Sequence, residues 1–245
     1  MDKEFNFSIA EIESHIEKLT ENGITEFSIH DEAFSKNKKR LLSFLQNAAE
    51  KTPDIFYTIL LDASVIDREL ALAAENLFCS FEVPLECEEK KGSLLFDKKF
   101  YASKARILND FGIIFGFQLT YAVNTFDSLK HFLERLDFAV QQYPNHIDFP
   151  QTENQKYSVN VSGSFSAQEI RRARDIAFAT RTFYSAGRAV PWFLSVLKPL
   201  RIYPSRFFED FSEWQHCNNC DFKSGFSPEG EKHSAIEKVQ FLFIE

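Results

Sequence analysis

Phe27-Ser-Ile-His-Asp-Glu-Ala-Phe34 decides the reading of this chain, because an apolar strand runs straight into three ionisable residues, His30, Asp31 and Glu32. Just upstream, Ser8-Ile-Ala-Glu11 has the form of a capping box. Ile9, Ile12, Ile16 and Leu19 then recur at helical spacing as far as Gly23, so an amphipathic helix leads into the strand of residues 24–29. Downstream of the polar turn a second helix carries Leu41, Leu45 and Ala48 and ends before Pro53.

The same unit then repeats. Residues 55–61 form an apolar run of the length expected when both faces of a sheet are covered, closed by Asp62, and a helix follows at about 67–76. Residues 77–83 read as a third strand ending in Pro84-Leu-Glu-Cys87. A charged stretch, 88–92, leads to a helix over about 97–109. Gly112 introduces the strand 113–119, and after the Tyr121-Ala-Val-Asn124 turn a long helix presents Leu129, Phe132, Leu133, Leu136 and Val140 on one stripe. Residues 146–149 are a fifth strand. Strands alternating with helices imply a parallel sheet, closed as a barrel or wound in two directions.

Past Pro150 the rhythm stops. Residues 151–163 are polar and turn-rich, Ser166-Ala-Gln-Glu169 opens a capping-box helix reaching about Tyr184, and Pro191 and Pro204 suit the first turns of two further helices. The tail, 235–243, reads as helix or strand. The fold class expected is therefore α/β, an incomplete (β/α) TIM-like barrel of about five parallel strands over residues 1–155, with a mostly helical C-terminal domain over 156–245.

Composition narrows the classes of function. Of 245 residues, 44% are hydrophobic and 26% charged, ordinary globular usage. The 28 phenylalanines fall mostly inside strand runs and helix stripes, where they serve as core. A net charge of −8 leaves no global basic field for a nucleic-acid backbone. Met1-Asp-Lys-Glu-Phe5 has no apolar signal core, and the longest apolar run, 113–123, is too short to span a bilayer, so a cytoplasmic protein without a membrane partner is expected. Cys79, Cys87, Cys217 and Cys220 are too few and too scattered for a disulfide scaffold. No phosphate loop, dinucleotide fingerprint or Gly-x-Ser-x-Gly elbow occurs.

In parallel βα folds ligands bind at the carboxyl ends of the strands, where helix N-termini converge. His30, Asp31, Glu32, Asp62, Glu86, Cys87 and Asn124 all follow strands and are the candidates for that mouth. Singly, each acid is equally a helix cap. Grouped, they can bind a hydroxyl-rich or cationic small molecule, chelate a metal or move protons. Cys217-Asn-Asn-Cys220 after His216 offers half a zinc site and reads first as ordinary loop cysteines. Arg171, Arg172, Arg174, Arg181 and Arg188 concentrate positive charge in the first helix of the C-terminal region, read first as a solvated or docking face and second as a contact for an anionic cofactor or RNA.

Taken together, the helix, Gly23, the strand and Asp31-Glu-Ala-Phe34 resemble the radical S-adenosylmethionine superfamily, in the branch that often carries a cobalamin-binding domain. In that branch a strand ends in an Asp-rich DDxF or DRTF turn, matched by residues 30–34. A later strand ends in Gly-Ile-Glu-Ser, matched by Pro84-Leu-Glu-Cys87, and another in Gly-Leu-Pro-Gly-Glu-Thr, matched loosely by Thr120 to Thr125. Tyr157-Ser-Val, Phe183-Tyr184 and Ser205-Arg-Phe-Phe208 look like the helical C-terminal region of some members. The resemblance implies S-adenosylmethionine as cofactor, with Asp31 or Glu32 near its amino end, Glu86 near its ribose, and His30 and Asn124 lining the same pocket.

Family members hold a four-iron cluster through CxxxCxxC, and this motif occurs nowhere in the chain. An iron–sulfur cluster is thus not expected here. The resemblance implies that the first strand and its cluster loop are missing, so the chain is either a piece of a larger enzyme or a relative that has lost radical chemistry. A non-catalytic binding or assembly module on the same scaffold is the alternative, and a metal-assisted sugar isomerase or epimerase a weaker one. Either way the edge beside residues 24–29 should be covered, by the first helix, the C-terminal region, an upstream domain or a second subunit.

Overall fold

The computed structural model describes residues 8–150 and 159–245. The N-terminal pentapeptide, most of the polar linker and Tyr157-Ser158 therefore lie outside the described residues. Five strands, β1 (Glu26–Ile29), β2 (Phe56–Leu60), β3 (Cys79–Pro84), β6 (Ile114–Gln118) and β7 (His146–Asp148), form one parallel sheet in the order β1-β2-β3-β6-β7. Between β3 and β6 lies an antiparallel hairpin, β4 (Glu88–Lys90) and β5 (Ser93–Leu95). Each strand of the sheet pairs with the next in the chain, so the winding never reverses. That is the order of a (β/α) barrel and not of a doubly wound sheet with its switch point. With five strands, and with β1 and β7 not paired to each other, the barrel is incomplete.

The chain divides into two compact units, residues 1–84 with 99–116 and residues 85–98 with 117–245. In the first, α1 (Ile9–Thr20) starts at the expected capping box: Ser8 Oγ accepts from the Glu11 N–H at 3.2 Å, and Glu11 Oε2 accepts from the Ser8 N–H at 2.7 Å. The second expected helix is two, α2 (Glu32–Ser35) and α3 (Lys38–Lys51), because Asn37 recaps the chain by accepting from the Arg40 N–H. Leu41, Phe44, Leu45 and Ala48 of α3 are buried, and Phe44 meets Tyr57 of β2 edge-on at 5.4 Å. Thus one sheet face, carrying Tyr57, Ile59 and Phe81, is closed to solvent.

Lys38 joins α3 to α4 (Arg68–Ala74) through Asp67 and Glu69, both at 2.5 Å. Glu13 joins α1 to α3 by accepting from Asn47 and Lys51. Ile12, Ile16 and Leu19 of α1 and Phe27 and Ile29 of β1 line a groove of about 170 Å³ beside the edge strand. The helix α5 (Lys98–Asp110) leads into β6 through Gly112, whose φ of +65° suits glycine.

The second unit holds α6 (Leu129–Gln141), α7 (Ala167–Thr180), α8 (Phe193–Leu200), α9 (Pro204–Cys217) and α10 (His233–Ile244). Its tail is helix, not strand. Where the sequence extends α7 to Tyr184, the chain widens over 181–186 into a π-type turn, with Gly187 N–H donating to Thr182 O and Ala189 N–H to Tyr184 O. This turn seals the β7 edge: Ser185 Oγ accepts from the Ile147 N–H at 2.9 Å and donates to the Ile147 carbonyl at 3.1 Å. Tyr184 adds a hydroxyl bond to the Pro144 carbonyl. Gln240 of α10 donates to the Phe183 and Gly187 carbonyls that the widening frees. Gly187 is required there, since a β-carbon would collide with that amide and with the Phe183 carbonyl. Around the turn Phe183, Phe193, Phe207, Phe208 and Phe211 pack mostly edge-to-face, as the phenylalanine content predicts. No helix among the described residues is long and apolar enough to cross a membrane.

Candidate functional site

At the end of β1, His30 and Glu32 are exposed and Asp31 half-buried. Asp31 caps α2, its Oδ1 accepting from the Phe34 N–H at 2.8 Å, and the short helix turns the chain toward α3. At the end of β2, Asp62 Oδ1 accepts from both the N–H and the hydroxyl of Ser64 at 2.9 and 2.6 Å. These two acids therefore organise the loops that follow their strands.

In the second unit the candidates are Glu86, Cys87 and Asn124. The Leu85 N–H donates to the Gln118 carbonyl and the Leu119 N–H to the Asp148 carbonyl, which sets the starts of the loops after β3 and β6 side by side. Glu86 is exposed there and Cys87 half-buried, its thiol pushed up by burial. Asn124 makes an Asx turn, its Oδ1 accepting from the Phe126 N–H at 2.8 Å.

Two residues absent from the sequence reading fix this loop. Asp127 and Arg135 form an ion pair at 2.9 Å, their side chains only 4% and 5% exposed. Asp127 also accepts from the N–H groups of Ala122, at φ +52°, and Ser128. Ser164 Oγ braces the same loop on the Thr125 and Asp127 carbonyls. The signal was present in the sequence, because Arg135 interrupts the apolar stripe of α6 between Phe132 and Leu136. Tyr121, at the start of the loop, is buried and its phenol pushed up to about 12. A further acid, Glu82, is 5% exposed within β3, hidden from the sequence reading by an apolar run.

The C-terminal cysteines are not presented as a metal pair. All four cysteines are free; Cys217 is exposed and Cys220 buried, its thiol pushed up by that burial. His216 is clasped on both sides: Nδ1 meets Asp221, and Nε2 lies 3.4 Å from Asp175 Oδ2. Both ring nitrogens are thus engaged by carboxylates. Of the arginines, Arg172 pairs with Glu209, Arg181 with Glu229 at 2.6 Å, and Arg174 stacks over Phe222, whereas Arg171 and Arg188 are exposed.

The donor set can be tested against the cofactors that the resemblance implies. A cluster needs several thiolates converging on one loop. Cys79 instead sits inside β3 with its thiol pushed up to about 12 by burial, and the C-terminal pair lies on another unit. These residues do not fit an iron–sulfur cluster. Of the residues that the resemblance assigns to S-adenosylmethionine, Asp31 in the first unit and Asn124 in the second each spend Oδ1 on a backbone N–H.

No family model matches the sequence, and no curated protein matches it. Among solved structures, similarity is found to the radical S-adenosylmethionine methyltransferase TsrM from Kitasatospora setae. With tryptophan substrate and the analogue aza-SAM bound, it aligns at a TM-score of 0.46 and 14% identity, over 58% of this chain and 30% of that one. With cobalamin and a 4Fe-4S cluster bound, it aligns at 0.46 and 13%, over 58% and 28%. This chain therefore spans less than a third of the length of those proteins.

Proposed function

We propose that the chain is a radical-SAM-type α/β scaffold working as a small-molecule binding or assembly module, without radical chemistry of its own. The observation that carries this reading is the state of its cysteines: none belongs to a CxxxCxxC loop, and the thiol within the sheet, Cys79, is held protonated by burial. Without an electron-donating cluster there is nothing to cleave S-adenosylmethionine reductively. The strand-end groups fit the same reading, since Asp31 and Asp62 in the first unit and Asn124 in the second each fix the loop that follows a strand. Rigid loops on a fixed sheet are what a binding site requires.

Anaerobic reconstitution with iron and sulfide tests it. The expected product is colourless protein with no charge-transfer absorption, and a stoichiometric cluster with a visible band would overturn the reading.

A further inference from the structure

We propose that Ser28, Thr58 and Ser80 form a hydroxyl row on the sheet face turned away from α3, and that this row binds a neutral polyol such as a sugar ring. The inference deepens the binding-module reading and rests on it.

Register places the row. Ser28 pairs with Thr58, and Thr58 with Ser80, across three neighbouring parallel strands. Side chains at one register point to one face, ~4.8 Å apart from strand to strand. Their neighbours along each strand, Tyr57, Ile59 and Phe81, are fully buried on the opposite face, where Phe44 of α3 packs against Tyr57. The three hydroxyls thus lie on the face away from α3, and accessibility falls along the row from exposed Ser28 through half-buried Thr58 to Ser80 at 4%.

Chemistry supplies the second observation. Ser80 Oγ is buried and has no hydrogen-bond partner among the described residues. A hydroxyl taken from water without a partner destabilises the fold, so strand interiors rarely keep one. Valine or alanine would serve the sheet better unless the hydroxyl meets something else.

The class of ligand follows from the surroundings. β1, β2 and β3 contain no lysine or arginine, and Glu26 and Glu82 share the face by alternation, so an anion is disfavoured. Hydroxyls that both donate and accept, with carboxylates that only accept, match a ligand bearing several hydroxyls in a ring-sized spread.

The test uses the full chain labelled with nitrogen-15 and three probes, D-glucose, inorganic phosphate and putrescine. Glucose should shift the amides of Ser28, Thr58 and Ser80, and the double variant Thr58→Val with Ser80→Ala should weaken that response about tenfold or more. The same variant should melt at or above the wild-type temperature, because it removes an unpaired hydroxyl, and this shows that it is folded. Absence of glucose shifts at these amides, an unchanged response in the variant, or shifts with phosphate or putrescine alone would each overturn the proposal. Failure of the binding-module reading is separately visible, as a coloured cluster.

Discussion

Arg135 is the residue on which the loop after β6 depends most. A guanidinium buried within an apolar stripe is tolerable only while its partner stays charged and close, and Asp127 meets it at 2.9 Å while also holding two backbone N–H groups. Replacing Asp127→Asn keeps most of the shape and removes the charge. We expect a loss of about 3–5 kcal/mol in urea unfolding, with a good part recovered when Arg135→Met is added. A loss under about 1 kcal/mol would show that the pair is solvated in solution. Single residues were also where the sequence was hardest to read. The capping boxes at Ser8 and Ser166 are local patterns and were legible. The roles of Asp31 and Asn124 were ambiguous, because a carboxylate or amide that caps a turn and one that binds a ligand occupy the same position after a strand. Asp127, Glu82 and Ser80 were missed because their significance comes from burial, which spacing does not report.

Among the elements, the start of α9 is held by one acid of α6. Asp137 of α6 accepts from the N–H and the hydroxyl of Ser205 at 2.7 and 3.0 Å, at the start of α9, and burial holds its carboxyl above the usual range despite these bonds. A raised folded value means that the protonated form stabilises the fold. That contribution is complete below the ordinary aspartate value and is lost as pH rises through the raised one. Asp137→Asn keeps an acceptor for the Ser205 N–H and does not titrate. Its melting temperature relative to wild type should therefore climb as pH goes from acid to neutral, and a difference independent of pH would count against the buried-carboxyl account. At this scale the sequence was most informative. All five strands of the sheet lie within the apolar runs or one residue beyond them, because the residues that a strand turns toward the core have little choice of composition. The hairpin of β4 and β5 escaped, since its short, mostly exposed strands depend on Lys91 and Gly92 at positive φ and not on periodicity. The π-type turn escaped too, as its cause, Gln240, lies more than fifty residues downstream.

For the whole molecule, charge and winding are the governing facts. With −8 net charge and its C-terminal arginines largely engaged with Glu209, Glu229 and Phe222, the chain should pass unretained through a heparin column at ~0.15 M salt. Retention there would reveal a polyanion-binding face. The sequential winding explains why a run of strand–helix units sufficed to read the architecture, whereas closure did not follow from it, because the number of strands says nothing of what meets the two ends. The ends differ in kind. At β7, Ser185 occupies the N–H and the carbonyl of Ile147, so another chain finds no complementary ladder to extend there. Among the described residues of the five-stranded sheet, the edge left for strand pairing is therefore β1. Growth through this sheet is self-limiting: two molecules joined at their β1 edges present sealed β7 edges, and the series stops at a pair instead of propagating as a fibre.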